Sequence, residues 1–353
     1  MRRRGWIRSA LAGAIAVTLL AGCSSTDDAS NNPTIEPPTP AAGPANTATP
    51  AGEVTPSGAI THLLAEPTTG VLAATGDLPG GQRDTVLRLT HPATVAGSPG
   101  NTTSLTSVAT VPLSGPVASL ALGKPGEILV GVPGKVLRVD AATGAVTETK
   151  VDGDVRAVTA RSDGGLVAGT ATGKVLLIGA DGTVRHTISG LVSVDAVDAS
   201  AERVVVLDRR QTTITEIDLG DDSLGLTLRA GDGATTMIGD HFGRRIVADT
   251  AGRELLVYTA DPLVLHQRFP VGSSPYALAY DDRSETVWVT LTGVNEVVGY
   301  DLSTGIPVEV GRYPTVRQPD TVTIDSRTGE MFVGSATGDG LQRITADQRK
   351  RGQ

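Results

Sequence analysis

The one thiol in the 353-residue chain is Cys23, which follows Leu20, Ala21 and Gly22. A single cysteine rules out a disulfide within the chain, so its chemistry is that of a nucleophile able to accept a covalent group. Metal chemistry would need clustered His, Cys or carboxylate ligands. The five histidines, His62, His91, His186, His241 and His266, form no H-x-H or H-x-x-x-H pattern. A divalent cation would have to draw its ligands from distant parts of the chain. No G-x-S-x-G elbow and no G-x-x-x-x-G-K-[ST] loop occurs, so the sequence offers neither an exposed serine nucleophile nor a phosphate cradle. Asp281 with Asp282, Asp221 with Asp222, and Asp163 before Gly164 read as turn residues, whose carboxylates accept hydrogen bonds from their own backbone. No catalytic residue and no resident cofactor is expected.

The residues around Cys23 say what its thiol is for. Arg2, Arg3, Arg4 and Arg8 precede a run of small and apolar residues from Ser9 to Ala21, the layout of an export signal. That run is shorter than the roughly 20 apolar residues a membrane span needs. Leu20-Ala21-Gly22-Cys23 resembles the lipobox of bacterial lipoproteins. The resemblance implies that residues 1–22 are removed, that Cys23 receives diacylglycerol, and that the mature chain is held at the cell membrane on its extracytoplasmic side. Arg3-Arg4-Gly5-Trp6-Ile7 also resembles a twin-arginine signal.

Residues 23–57 are rich in Pro, Thr, Ala, Ser and Asn, a composition with too little apolar surface to offset chain entropy. A disordered tether is expected there. Removing residues 1–22 takes away four arginines and no acid, moving the formal charge from −8 to −12. A net-acidic chain of this kind argues against sequence-independent attraction to nucleic acid or anionic lipid. The lipid is then the membrane attachment.

From Thr61 onward one unit recurs: a short apolar strand, a Gly/Asp turn, a second strand, a third ending near Asp, and a Thr-Gly or Asp-Gly hairpin into a fourth. The clearest copy runs Tyr276–Tyr280, Thr286–Thr290, Glu296–Asp301, Ser303-Thr304-Gly305, Val308–Gly311. Aligned first strands put Ala118, Arg156, Val194, Thr236, Ala277 and Val322 in equivalent places, 38 to 45 residues apart. That period is one of propeller blades. With the copy that begins near Thr61, which carries an insertion at His91 to Leu105, the count is seven. The fold expected is all-β, a propeller of seven four-stranded blades over residues 58–346, with a polar tail at 347–353. A fourth strand for the last copy is expected from Val54 to Ile60, hiding an otherwise open edge.

The stretch Glu285–Ile344, with Asn295, Val297, Val298, Asp301, Thr304 and Gly305, resembles the YVTN type of β-propeller repeat. The whole layout is similar to conserved lipoproteins of mycobacteria and related actinobacteria. In a propeller the first strand of each blade lines a central channel and the loop entering it opens on one face. Candidate binding residues on that face are His62, Asp154, Arg156, Asp195, Asp232, Tyr276, Arg317, Gln318 and Asp320. The reading that follows is a monomeric binding module for a protein, peptide or cell-envelope component. A lactonase-like hydrolase with a divalent metal at the channel and a structural accessory of another envelope protein are the alternatives.

Overall fold

A computed structural model of the protein describes residues 33–76, 85–94, 103–199 and 203–349. Leu20, Ala21, Gly22 and Cys23 lie outside the described residues. Strand β1 is Glu53–Thr55. Strands β2 (His62–Glu66), β3 (Val71–Thr75), β4 (Val86–Thr94) and β5 (Thr103–Pro112) form one sheet. The insertion expected at His91 to Leu105 lengthens the β4–β5 hairpin, with residues 95–102 outside the described ones. A six-stranded sheet follows: β6 (Ser119–Leu122), β7 (Glu127–Asp140), β8 (Val146–Ala160), β9 (Leu166–Thr170), β10 (Val175–Ile178) and β11 (Val184–Ile188).

Three four-stranded sheets come next. They are β12 (Ala196–Asp198) to β15 (Ser223–Arg229) through β13 (Val204–Asp208) and β14 (Thr213–Asp218); β16 (Ala234–Gly239) to β19 (Leu263–Pro270) through β17 (Arg244–Asp249) and β18 (Glu254–Ala260); and β20 (Pro275–Asp281) to β23 (Val308–Pro314) through β21 (Thr286–Leu291) and β22 (Glu296–Asp301). The last sheet holds β24 (Pro319–Asp325), β25 (Glu330–Ser335), β26 (Leu341–Ile344) and, beside β26, the N-terminal β1. Val54 lies opposite Gln342. A strand from the N-terminal side thus completes the sheet of the last copy.

All these pairings are antiparallel. The inner strands neighbour one another in order, β2 beside β6, then β8, β12, β16, β20 and β24, and β24 returns to β2. The sheets therefore form a closed ring. They number six, where seven separate four-stranded blades were expected; the copies at Ala118 and Arg156 share one sheet. The cause is local. Strands β7 and β8 run on through Pro133-Gly134 and Asp152-Gly153, where the sequence suggested breaks. The register shifts between Pro133 and Lys135, with Pro133 facing Asp154. Gly134 and Gly153, at φ 73° and 121°, absorb the bend as a bulge instead of a turn. The first half of β8 pairs with β7 and the second half, from Val155, with β9.

The apolar core lies in layers between neighbours around the ring. Ile246, Leu255 and Val257 pack on Val287, Val289 and Val298, and Phe332 and Leu341 pack on Leu63 and Leu72. Middle strands are covered on both faces, which is why β13 reads Val-Val-Val-Leu and is buried along its whole length. Each such side chain contributes about 1.5–3 kcal/mol when buried. Rim strands such as β15 are mostly exposed. Asp163 and Asp281 act as the anticipated turn carboxylates, accepting from the Gly165 and Arg283 amides. Glu66, which the sequence did not single out, accepts hydrogen bonds from the Thr68, Thr69 and Gly126 amides and the Thr69 hydroxyl. Burial pushes its carboxyl up, but these bonds outweigh that and hold it at about 2.

Two boundaries differ from expectation. Much of the expected tether, from residue 33 onward, follows a defined path over the ring, and the closing strand expected from Val54 to Ile60 falls at Glu53–Thr55. Within the presumed polar tail Arg349 is buried, paired with Asp281 at 3.2 Å, donating to the Gly329 carbonyl and stacked 5.0 Å from the Trp288 ring. The cation and the aromatic face supply what composition alone does not register.

Candidate functional site: the channel mouth

The loops entering the inner strands are held by buried carboxylates at the ends of second strands. Asp208, closing β13, accepts from the Val192 and Ser193 amides, the Ser193 hydroxyl, and the Arg210 and Gln211 amides. Asp249, closing β17, does the same for the Asp232, Gly233 and Gly252 amides. Each ties the loop before its sheet to the turn after its second strand.

Four of the nine candidates meet there. His62, Asp154, Arg156 and Asp195 line an open cavity of about 340 Å³ with Arg209, Pro116, Val117, Ala118 and Pro133. Arg156 pairs with Asp154 at 3.0 Å, and both side chains remain about half exposed. His62 Nδ1 lies 3.0 Å from the Thr75 hydroxyl. Asp195 accepts from the Ser193 hydroxyl at 2.6 Å and the Arg209 amide at 2.9 Å. A larger cavity of about 430 Å³ opens among Arg203, Glu216 and Asp218, away from every candidate.

Three more candidates lie under the N-terminal segment. The Gln318 side chain accepts from the Gly43 amide at 2.7 Å and donates to the Ala41 carbonyl at 3.1 Å and to Asp320 at 2.8 Å. Arg317 Nε donates to the Gly43 carbonyl at 3.1 Å. Burial pushes the Asp320 carboxyl up to about 6, although the Gln318 bond pulls the other way. Tyr276 is the eighth candidate, its phenol also raised by burial, with Arg209 and Asp320 close enough to act on it. Asp232 stands apart, exposed on the Gly231–Gly233 turn.

Several residues with an evident role here were not among the candidates. The Ile35 amide donates to the Arg210 carbonyl, Arg209 donates to the Pro38 carbonyl, and the Ala41 amide donates to the Ser274 hydroxyl. Asn295 Nδ2 donates to Pro44 and Asn46, and Asn46 Nδ2 to the Thr315 carbonyl. The segment then reaches β1 through Ala51, which bonds Pro314 and Gln342. Asn295 was visible as a repeat position. Its left-handed backbone, φ 54°, is shared by Ser274 at 54° and Gln318 at 53°; Asn tolerates that region, Ser and Gln less so. Among the described residues no three His, Cys, Asp or Glu side chains gather to hold a metal.

A ring of radially packed antiparallel sheets around a channel is the β-propeller class. Solved structures agree. The chain is similar to Kuenenia stuttgartiensis hydrazine synthase, with TM-score 0.64 and 12% identity over 86% of this chain and 99% of that one. It is also similar to the β-propeller domain of Myceliophteria thermophila Cps50 (Swd1), with TM-score 0.67 and 13% identity over 84% and 99%. At such identities the likeness is one of fold alone. No family model matches the chain, and no curated protein matches it in sequence.

Proposed function

We propose that the chain is an exported lipoprotein, anchored to the cell membrane through Cys23 on the extracytoplasmic side, whose propeller binds a protein, peptide or envelope component at its channel mouth. The signal layout and the lipobox resemblance support the anchor. One observation carries the binding reading: His62, Asp154, Arg156 and Asp195, from three sheets, converge on an open cavity whose edge residue Arg209 already holds main chain from another part of the protein. Concave places with a few fixed polar groups favour recognition. The Asp154–Arg156 pair is half exposed, so a partner able to replace it meets a low desolvation cost.

The test is crosslinking in membranes with the native chain and with Asp154→Ala plus Arg156→Ala. The native chain should yield one stoichiometric partner and the double variant should lose at least nine-tenths of it. Undiminished recovery from a double variant of native melting temperature overturns the reading.

A further inference from the structure

We infer that the channel mouth contains a built site for an extended, uncharged Ala-Gly-Pro peptide, and that residues 38–46 are its resident occupant. The inference rests on the binding-module reading and names the ligand chemistry of that face.

Recognition of the segment is directed at its backbone. Gln318 reads the Ala41 carbonyl and the Gly43 amide with one side-chain amide, as a neighbouring strand would. Ser274 takes the Ala41 amide, Arg317 the Gly43 carbonyl and Asn295 the Pro44 carbonyl. The side chains of Ala41, Ala42, Pro44 and Ala45 are exposed, so apolar burial does not hold this stretch.

Selectivity enters at Gly43, the buried residue of the segment. A Cβ there would lie 2.4 Å from Asn295 Oδ1 and 3.2 Å from both the Gln318 amide nitrogen and the Thr292 carbonyl oxygen. A Cβ at Gly43 fits only if the Asn295 side chain gives up its bond to the Gln318 main-chain amide and the flanking backbone yields by a few tenths of an ångström. Upstream, Pro38 is half-buried and lies against Gly233, whose added Cβ would meet its ring at 2.4 Å. Prolines at 37, 38, 40 and 44 bias the chain toward extended conformations before it docks, which lowers the ordering cost.

Nothing in this recognition requires covalent connection. A chain of the same backbone pattern, from a second protein, satisfies the same donors and acceptors. The tethered segment competes with it at an effective concentration on the order of millimolar, so access depends on displacing residues 38–46.

The experiment uses the full chain carrying Gly43→Val, which should lift the segment, and a labelled peptide PTPAAGPANT, the sequence of residues 38–47. The peptide should bind the Gly43→Val chain at least ten-fold more tightly than the native chain. Its analogue with valine for glycine, and the native peptide against Gly43→Val with Gln318→Ala, should show at least a ten-fold loss. Equal binding with and without Gln318, or no binding although the Ile35 amide exchanges faster than in the native chain, overturns the inference. Ala41→Pro removes the bond to Ser274 at an exposed position and serves as a second displacing variant if Gly43→Val does not fold. Peptide failure with the Asp154/Arg156 partner still recovered sinks the peptide site alone. Partner recovery undiminished by Asp154→Ala with Arg156→Ala, with peptide binding intact, sinks the broader reading alone.

Discussion

Asp320 shows how the mouth combines positioning with cost. Its carboxylate accepts from Gln318, which locks the amide that reads Ala41 and Gly43, yet burial lifts its pKa to about 6. An unfolded aspartate titrates near 3.9. Between those values the folded chain carries a proton the unfolded chain lacks, so this group's contribution is greatest at low pH and is lost as pH rises through 6. Asparagine keeps an oxygen for Gln318 and carries no charge. Asp320→Asn should therefore raise the melting temperature at pH 7.5 by roughly 2–4 °C, the shift produced by about 1 kcal/mol, and change it little at pH 4. Calorimetry at the two pH values checks this; an equal effect at both would assign the cost to something other than the buried charge. Position at the start of an inner strand made Arg317, Gln318 and Asp320 legible in the sequence. Ser274 and Arg209 were not legible, because their roles depend on a segment more than 150 residues away that composition marked as a spacer.

At the scale of elements, the strands of the clearest repeat copy fall where the pattern put them, since two-faced burial in a ring dictates short apolar runs with turns between. Gly/Pro punctuation misled at Pro133-Gly134 and Gly153. The same residues that end a strand also permit a bulge, and only the partner strand decides which. The path of residues 33–52 was hidden for a related reason: entropy arguments weigh apolar burial, whereas this stretch is held by backbone hydrogen bonds to preformed side chains. Strand β1 was foreseen because the last copy lacked a fourth strand. It covers the edge of β26 with three paired residues, Glu53 opposite Arg343, and the long loop this pairing closes makes it costly in chain entropy, a cost that the completed sheet must offset. Deleting Glu53–Thr55 should lower the melting temperature by at least 5 °C and open an edge prone to self-association. Scattering of light during a thermal ramp, against the native chain, measures both effects.

Charge decides how the whole molecule can meet a membrane. The processed chain would carry a formal −12, against −8 with its first 22 residues, so an anionic leaflet repels it at long range. No helix among the described residues is long and apolar enough to cross a bilayer. Attachment on the proposed reading falls to the acyl chains on Cys23, each buried CH₂ contributing about 0.8 kcal/mol and two chains holding where one binds only marginally. The first described contact of the N-terminal segment with the ring is at Ile35, twelve residues beyond Cys23. Even fully extended, twelve residues span at most about 43 Å, so anchoring through Cys23, as proposed, would confine the channel mouth near the bilayer while residues 38–46 are seated. Cys23→Ala should move more than nine-tenths of the chain to the soluble fraction, leave the melting temperature within 1 °C, and abolish co-sedimentation with anionic vesicles at any ionic strength. Fractionation with a vesicle assay checks all three; retention that weakens with salt would reveal a basic surface acting against the net charge, and retention indifferent to salt would mean that the propeller itself holds the membrane.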